Sequence, residues 1–116
     1  ISLLAQEPFI LVESRQKLRL VGDQILNRAG IIPDVRYVSK SMETTKRLVA
    51  AGLGATFLPR SYLTLFSGTE GLEYFPIDRS VHALWQLVAA YRKEEELPLS
   101  ARKFLEISKR EMEKGL

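Results

Sequence analysis

The chain has 116 residues, is 46% hydrophobic, and carries 17 Lys and Arg against 14 Asp and Glu, for a net charge of +3. That length suits one domain with its own core. The hydrophobic share argues against disorder, and the interleaved charges offer no basic tract for nucleic acid. Cysteine is absent, which removes disulfide and thiol chemistry and fits a reducing cytoplasm. No apolar run approaches the roughly 20 residues of a membrane span. The chain opens Ile1-Ser2 without Met or a signal peptide, so it is expected to be a piece of a longer protein or a processed product.

Phe9-Ile10-Leu11-Val12 is a continuous apolar run, the pattern of a strand covered on both faces. Leu18, Val21, Ile25 and Ala29 then recur at three- and four-residue spacing and predict a helix over Gln16 to Ala29. Lys17, Asp23, Gln24, Asn27 and Arg28 fill its wet side. Gly30 follows where helices end in a positive φ, and Pro33 prevents a restart. Val35 to Ser39 alternates as a second strand. Ser41 is placed to cap a helix over Met42 to Ala51, with Glu43 in its first turn and Lys46 and Arg47 later, the order the macrodipole favours. Gly52 ends that helix, and Ala55 to Leu58 predicts a third strand stopped by Pro59.

The stretch RLVAAGLGATFLPR, Arg47 to Arg60, therefore reads as helix, glycine stop, tight turn and buried strand. Its small residues Ala50, Ala51, Gly52 and Gly54 are expected to let the helix end lie close against the sheet. With the preceding strand and helix it makes a βαβ unit, which implies parallel pairing. Gly-Leu-Gly by itself is too short a signal for a phosphate loop. A short helix over Arg60 to Phe66, a Ser67-Gly68 turn and an extended piece over Leu72 to Ile77 come next. Ala83 to Tyr91 is apolar on both parities, as in a strand at mid-sheet or crossing between lobes. Arg92 to Glu96 reads as a solvated charged turn. Ser100 is expected to cap a final helix to Glu113, with Ala101, Phe104, Leu105, Ser108 and Met112 on one side and a Glu106–Arg110 pair on the other.

Groups able to exchange protons or hold metals are few. His82 is the single histidine, with no partner at metal-ligand spacing, and suits a strand edge or surface. No G-x-S-x-G elbow occurs, and Glu94-Glu95-Glu96 lacks neighbours to complete a coordination shell. No catalytic residue, metal site or cofactor is assigned; the chain reads as a binding module. In open α/β sheets a ligand sits beyond the carboxyl ends of the strands, beside helix N-termini. Two loops qualify, Glu13-Ser14-Arg15 and Ser39 to Glu43. The candidate ligand-binding residues are Ser14, Arg15, Ser39, Ser41 and Met42, with Arg60 adding positive charge after the third strand. Amide hydrogens and serine hydroxyls at a helix start suit a carboxylate or similar anion. Each serine could instead cap its own helix, and Glu13 would repel an anion.

Leu48 to Pro59, LVAAGLGATFLP, resembles the "lVaaGlGia-lP" segment of LysR-type transcriptional regulators. Further segments agree in order: Pro8 to Leu11, Leu18-Arg19 with Asp23, Gly30 to Pro33, Gly71-Leu72 with Pro76-Ile77, Trp85 to Tyr91, and Leu99 to Ala101 with Phe104. The resemblance covers nearly the whole chain. It implies an α/β fold, a periplasmic-binding-protein type II-like lobe with a parallel βαβ core, a crossover strand at Ala83 to Tyr91 and a C-terminal helix. Residues 1–92 would be the second effector-binding subdomain with its crossover strand, and 93–116 the charged turn and final helix. The family's winged helix-turn-helix and most of the first subdomain would lie outside the chain, and the final helix would pack on that other lobe.

By resemblance the function is to sense a small-molecule co-inducer in the cytoplasm, with DNA bound only through the winged helix-turn-helix, and the co-inducer loop maps onto Ser39 to Met42. Poor co-inducer affinity for this chain alone and self-association, through the final helix or a sheet edge, are also expected. A lobe of a periplasmic solute receptor or of an enzyme sharing the fold are the alternatives.

Overall fold

A computed structural model describes residues 1–65, 70–78, 88–93 and 95–114. It divides into two compact units, Ile1–Trp85 and Gln86–Leu116. In the first, a 3-10 turn at Ser2–Leu4 precedes β1 (Pro8–Val12), α1 (Lys17–Arg28), β2 (Asp34–Ser39), α2 (Met42–Ala50) and a single turn, α3 (Tyr62–Leu65). β1 and β2 pair in parallel, with Phe9 opposite Val35 and Val12 opposite Ser39. The expected β–α–β order and the parallel pair are present.

The core forms because β1 is apolar on both parities. Phe9, Ile10, Leu11 and Val12 are all buried. Val21, Ile25 and Leu26 of α1 pack with Phe9, Leu11 and Phe57 in one cluster. The Phe57 ring stacks on Phe9 with centroids 6.0 Å apart. The ring also lies against α1 at Gly22, where a Cβ would stand 2.6 Å from a Phe57 ring carbon. The buried stripe of α1 is thus Val21, Gly22, Ile25 and Leu26; Ala29, expected on that stripe, is the exposed C-cap.

The third strand expected over Ala55 to Leu58 is reduced to one parallel bridge between Ala55 and Phe9. Ala55 N–H donates to the Pro8 carbonyl at 2.8 Å, and Ile10 N–H donates to the Ala55 carbonyl at 2.9 Å. By alternation the Val12 carbonyl would face position 59, a proline with no N–H to give. Arg19 Nη1 donates to that carbonyl instead, at 3.1 Å.

The small-residue stretch also differs from expectation. Ala50, Ala51 and Gly52 are exposed, so they do not bring the helix end against the sheet. Gly52 has φ 81° and closes α2, with its N–H donating to the Val49 carbonyl and Leu53 N–H to the Leu48 carbonyl. Close approach is made at Gly54 alone, where any Cβ would collide with the Pro8 carbonyl. Gly30 ends α1 with the same pair of bonds, Gly30 N–H to Asn27 and Ile31 N–H to Leu26.

The short helix after Pro59 begins at Tyr62 rather than Arg60. Leu72 to Ile77 forms no ladder among the described residues, and Tyr74, Phe75 and Ile77 are exposed. The Ser67-Gly68 turn, His82 and most of the predicted Ala83 to Tyr91 strand lie outside the described residues. In the second unit, Arg92 and Glu95 form an exposed ion pair at 2.6 Å. There α4 (Leu99–Glu113) starts from Pro98, so Ser100 is inside the first turn and caps nothing. The expected Glu106–Arg110 pair is replaced by Lys103–Glu106 at 2.9 Å, and Arg110 lies 3.6 Å from Glu111. Ala101, Leu105 and Ser108 of α4 are half-buried, while Phe104 is 69% exposed and Met112 is exposed too.

Candidate functional site

Parallel pairing sends both strands out at one rim. Val12 and Ser39 are register partners, so Ser14 and Ser41 emerge at the same end of the sheet. Two hydrogen bonds tie the loops together there. Glu13 N–H donates to the Ser39 carbonyl at 3.1 Å, and Gln16 Nε2 donates to the Lys40 carbonyl at 3.0 Å.

The loop after β2 is held by its serines. Ser39 Oγ accepts from Ser41 N–H and donates to the Ser41 carbonyl, both at 3.1 Å, so its hydroxyl is engaged in shaping the turn. Ser41 is the N-cap of α2, its Oγ accepting from Thr44 N–H at 3.2 Å. The buried Thr45 locks the same turn from below, its Oγ1 donating to the Ser41 carbonyl at 3.0 Å. Met42 and Glu43 N–H, the next donors of that turn, have no acceptor among the described residues. The Ser41 hydroxyl hydrogen also remains free to donate, since its oxygen serves only as an acceptor.

The loop after β1 is built differently. Gln16, not Ser14, is the N-cap of α1, and its side chain makes no cap bond because it reaches across to Lys40. Ser14 and Arg15 are exposed and their side chains make no hydrogen bond or ion pair among the described residues. Arg60 is exposed as well, two residues before α3. The Ala55 bridge starts its segment parallel to β1, but no hydrogen bond joins Arg60 to either rim loop among the described residues.

Charge at the rim is mixed. Lys40 Nζ lies 3.8 Å from Glu13 Oε1, which offsets the carboxylate that would otherwise repel an anion. Glu43 is 3.3 Å from Arg47 and 3.9 Å from Lys46. Arg19 grips Asp23 through Nε at 2.9 and 3.1 Å while its Nη1 covers the end of β1. Lys46, read from the sequence as a charge for the helix dipole, has a side chain only 3% exposed. Gln16, Arg19, Lys40, Thr45 and Lys46 escape the sequence reading, because each acts across the chain or from a face that periodicity does not mark. Only Thr45 carried a local signal, four residues after a capping serine.

Among the described residues no group of three or more His, Cys, Asp or Glu side chains is placed to hold a metal ion, and no helix is long and apolar enough to cross a membrane. The rim thus offers backbone and hydroxyl donors beside a helix start, flanked by Arg15 and the Lys40–Glu13 pair. That is the chemistry of an α/β binding module.

Comparison with known proteins agrees. Residues 1–113 match the model of the LysR substrate binding domain, and the chain belongs to that family. A stretch of 56 residues is 36% identical to the uncharacterized HTH-type transcriptional regulator YybE of Bacillus subtilis, covering 48% of this chain and 19% of that regulator. The chain is therefore similar to only a minor part of that relative's length. No solved structure matches.

Proposed function

We propose that the chain is the ligand-sensing portion of a bacterial LysR-type transcriptional regulator, without catalysis, acting in the cytoplasm on a small anionic metabolite. DNA would be met by a helix-turn-helix elsewhere in the regulator. One observation carries the reading: the loops after β1 and β2 share a rim and are bonded to each other there, through Gln16 and Lys40. Met42 and Glu43 N–H and the Ser41 hydroxyl would receive a carboxylate of the guest, with Ser14 and Arg15 on the facing loop and Ser39 holding the turn in shape. Arg60 would contribute long-range positive charge. Family membership supports sensing over solute transport or catalysis.

The rim is one wall. Small ligands usually have about 70–90% of their surface enclosed, so the chain alone should bind only at roughly millimolar concentration. The test is an amide-resolved NMR titration with a panel of small mono- and dicarboxylates. Shifts should centre on Met42, Glu43 and Ser14 for at least one compound, and vanish in Ser41→Ala. Shifts centred elsewhere, or micromolar binding that survives Ser41→Ala, would overturn the assignment.

A further inference from the structure

Arg19 is not among the rim residues named above, yet its guanidinium is held at the end of β1 from two directions. Nε donates to both carboxylate oxygens of Asp23, at 2.9 and 3.1 Å, one turn further along α1. Nη1 donates to the carbonyl of the buried Val12 at 3.1 Å. A carbonyl buried there needs a donor. The Arg19 side chain is itself 18% exposed, so this charge-assisted bond is little screened and stronger than a neutral one.

The peptide this bond lands on leads to the rim. The Val12 carbonyl and the Glu13 N–H belong to one planar unit, and Glu13 N–H donates to the Ser39 carbonyl at 3.1 Å. A cation on the carbonyl side strengthens the N–H of the same peptide as a donor. Beyond Ser39 the series acts by position. The Ser39 hydroxyl accepts from Ser41 N–H and donates to the Ser41 carbonyl, both at 3.1 Å. That carbonyl shares its peptide with Met42 N–H, the first open donor of α2. The bond from Gln16 to the Lys40 carbonyl, at 3.0 Å, ties the two loops a second time but is neutral.

We infer that Arg19 is a positioning residue of the rim. Its fork holds the Val12–Glu13 peptide, and through it the turn from Ser39 to Ser41, in the arrangement that presents Met42 N–H. The purpose of this device rests on the anion-binding reading of the rim; its test does not. A guanidinium suits the task because its donors are fixed in one plane, so gripping Asp23 orients the nitrogen that meets Val12. A lysine ammonium is a single point of charge and lacks that fork. The Ser41 cap, bonded to Thr44, is a separate support and should survive the loss of Arg19.

Variants of the 116-residue chain test it. Arg19→Gln removes charge and fork, and Arg19→Lys keeps the charge alone. Ile25→Val, in the buried core, is the control for lost stability with the Arg19 bonds intact. Amide hydrogen exchange is read by NMR on the ligand-free chains, each folded by circular dichroism. Glu13 and Ser41 amides should exchange about tenfold faster in Arg19→Gln than in Ile25→Val. Arg19→Lys should fall nearer to Arg19→Gln than to the parent, and it carries the comparison if Arg19→Gln does not fold. The scalar coupling across the bond from Glu13 N–H to the Ser39 carbonyl should shrink in the same order. With succinate as probe, the shifts at Met42 and Glu43 should need about threefold more ligand in Arg19→Gln. Exchange at Glu13 and Ser41 no faster than in Ile25→Val, an Arg19→Lys chain that matches the parent, or succinate shifts unaltered in Arg19→Gln would overturn the proposal. A parent chain with no amide responding to succinate would count against the anion reading alone, and exchange would still decide the role of Arg19.

Discussion

Replacing Gly54 by alanine tests how β1 is anchored to the chain that follows α2. Gly54 has φ 155°, a region L-residues rarely enter, and its Cα faces the Pro8 carbonyl so closely that a Cβ has no room. That carbonyl also accepts the Ala55 N–H, one of two bonds holding Ala55 to β1. The backbone conformation should cost about 1–3 kcal/mol for a residue with a Cβ. Displacing the carbonyl weakens a hydrogen bond with a net value of about 0.5–1.5 kcal/mol. Gly54→Ala should therefore destabilise the chain by about 2–4 kcal/mol. Gly52→Ala is the control. Its φ is 81°, but nothing lies within 4 Å of the would-be Cβ, and the left-handed cost of about 1–2 kcal/mol is partly offset by reduced unfolded-state freedom of about 0.4–1 kcal/mol. Urea melts followed by far-ultraviolet circular dichroism would separate the two. With an m-value near 1–2 kcal/mol/M, Gly54→Ala should move the midpoint by about 1–4 M, and Gly52→Ala by a smaller shift, centred on about 0.5 M. Equal shifts would refute the claim that close approach, and not helix termination, is what this glycine pair chiefly provides.

Phe57→Ala should cost about 3–5 kcal/mol, since it removes the ring packed against Phe9 and α1; a loss under 1 kcal/mol in the same melts would contradict that packing. Gly22→Leu should be destabilising by at least about 1–3 kcal/mol through overpacking against the ring, and pairing it with Phe57→Ala should recover part of the loss. Ser41→Ala should cost about 1 kcal/mol as a lost cap, whereas Ser14→Ala should change stability by less than about 0.5 kcal/mol, because Gln16 is the residue at that helix start. Glu106→Gln should be neutral within about 0.5 kcal/mol, its partner Lys103 being well exposed.

Period and punctuation made the first unit legible. The buried run Phe9 to Val12, the cap at Ser41, and the glycines after α1 and α2 each carry a local physical signal, and each stands where the sequence puts it. What period cannot express is competition for one group. The third strand reads well as Ala55 to Leu58, but only Ala55 bonds to β1. At the end of β1 the Val12 carbonyl, which Pro59 has no N–H to meet, is engaged by Arg19, forty residues earlier in the chain. The Glu106–Arg110 pair fails for a similar reason, since Lys103 lies nearer in space. Gly22, on the buried stripe of α1, carries no local signal either, because its neighbour, the Phe57 ring, is thirty-five residues away.

The same distinction runs through the rim. Topology alone brings Ser14 and Ser41 to one end of the sheet, because parallel strands joined by a helix must exit together. Which donors remain open there is decided by hydrogen bonds that no pattern displays. Ser39 has spent its hydroxyl on the turn, Ser41 has satisfied Thr44, and Thr45 pins the turn from within. Helix α2 is thereby held at its start by a hydroxyl network, while the Gly54 approach anchors to β1 the chain that follows it. A guest received at Met42 and Glu43 would press on a helix start already held by these hydroxyls, so the rim should respond through its loops. Gln16→Leu, which cuts the cross-loop bond while leaving the Ser41 cap in place, should raise hydrogen exchange at Ser14 and Arg15 and leave the α2 amides unchanged. Faster exchange along α2 in that variant would mean that the two loops, and not the cap, hold the helix.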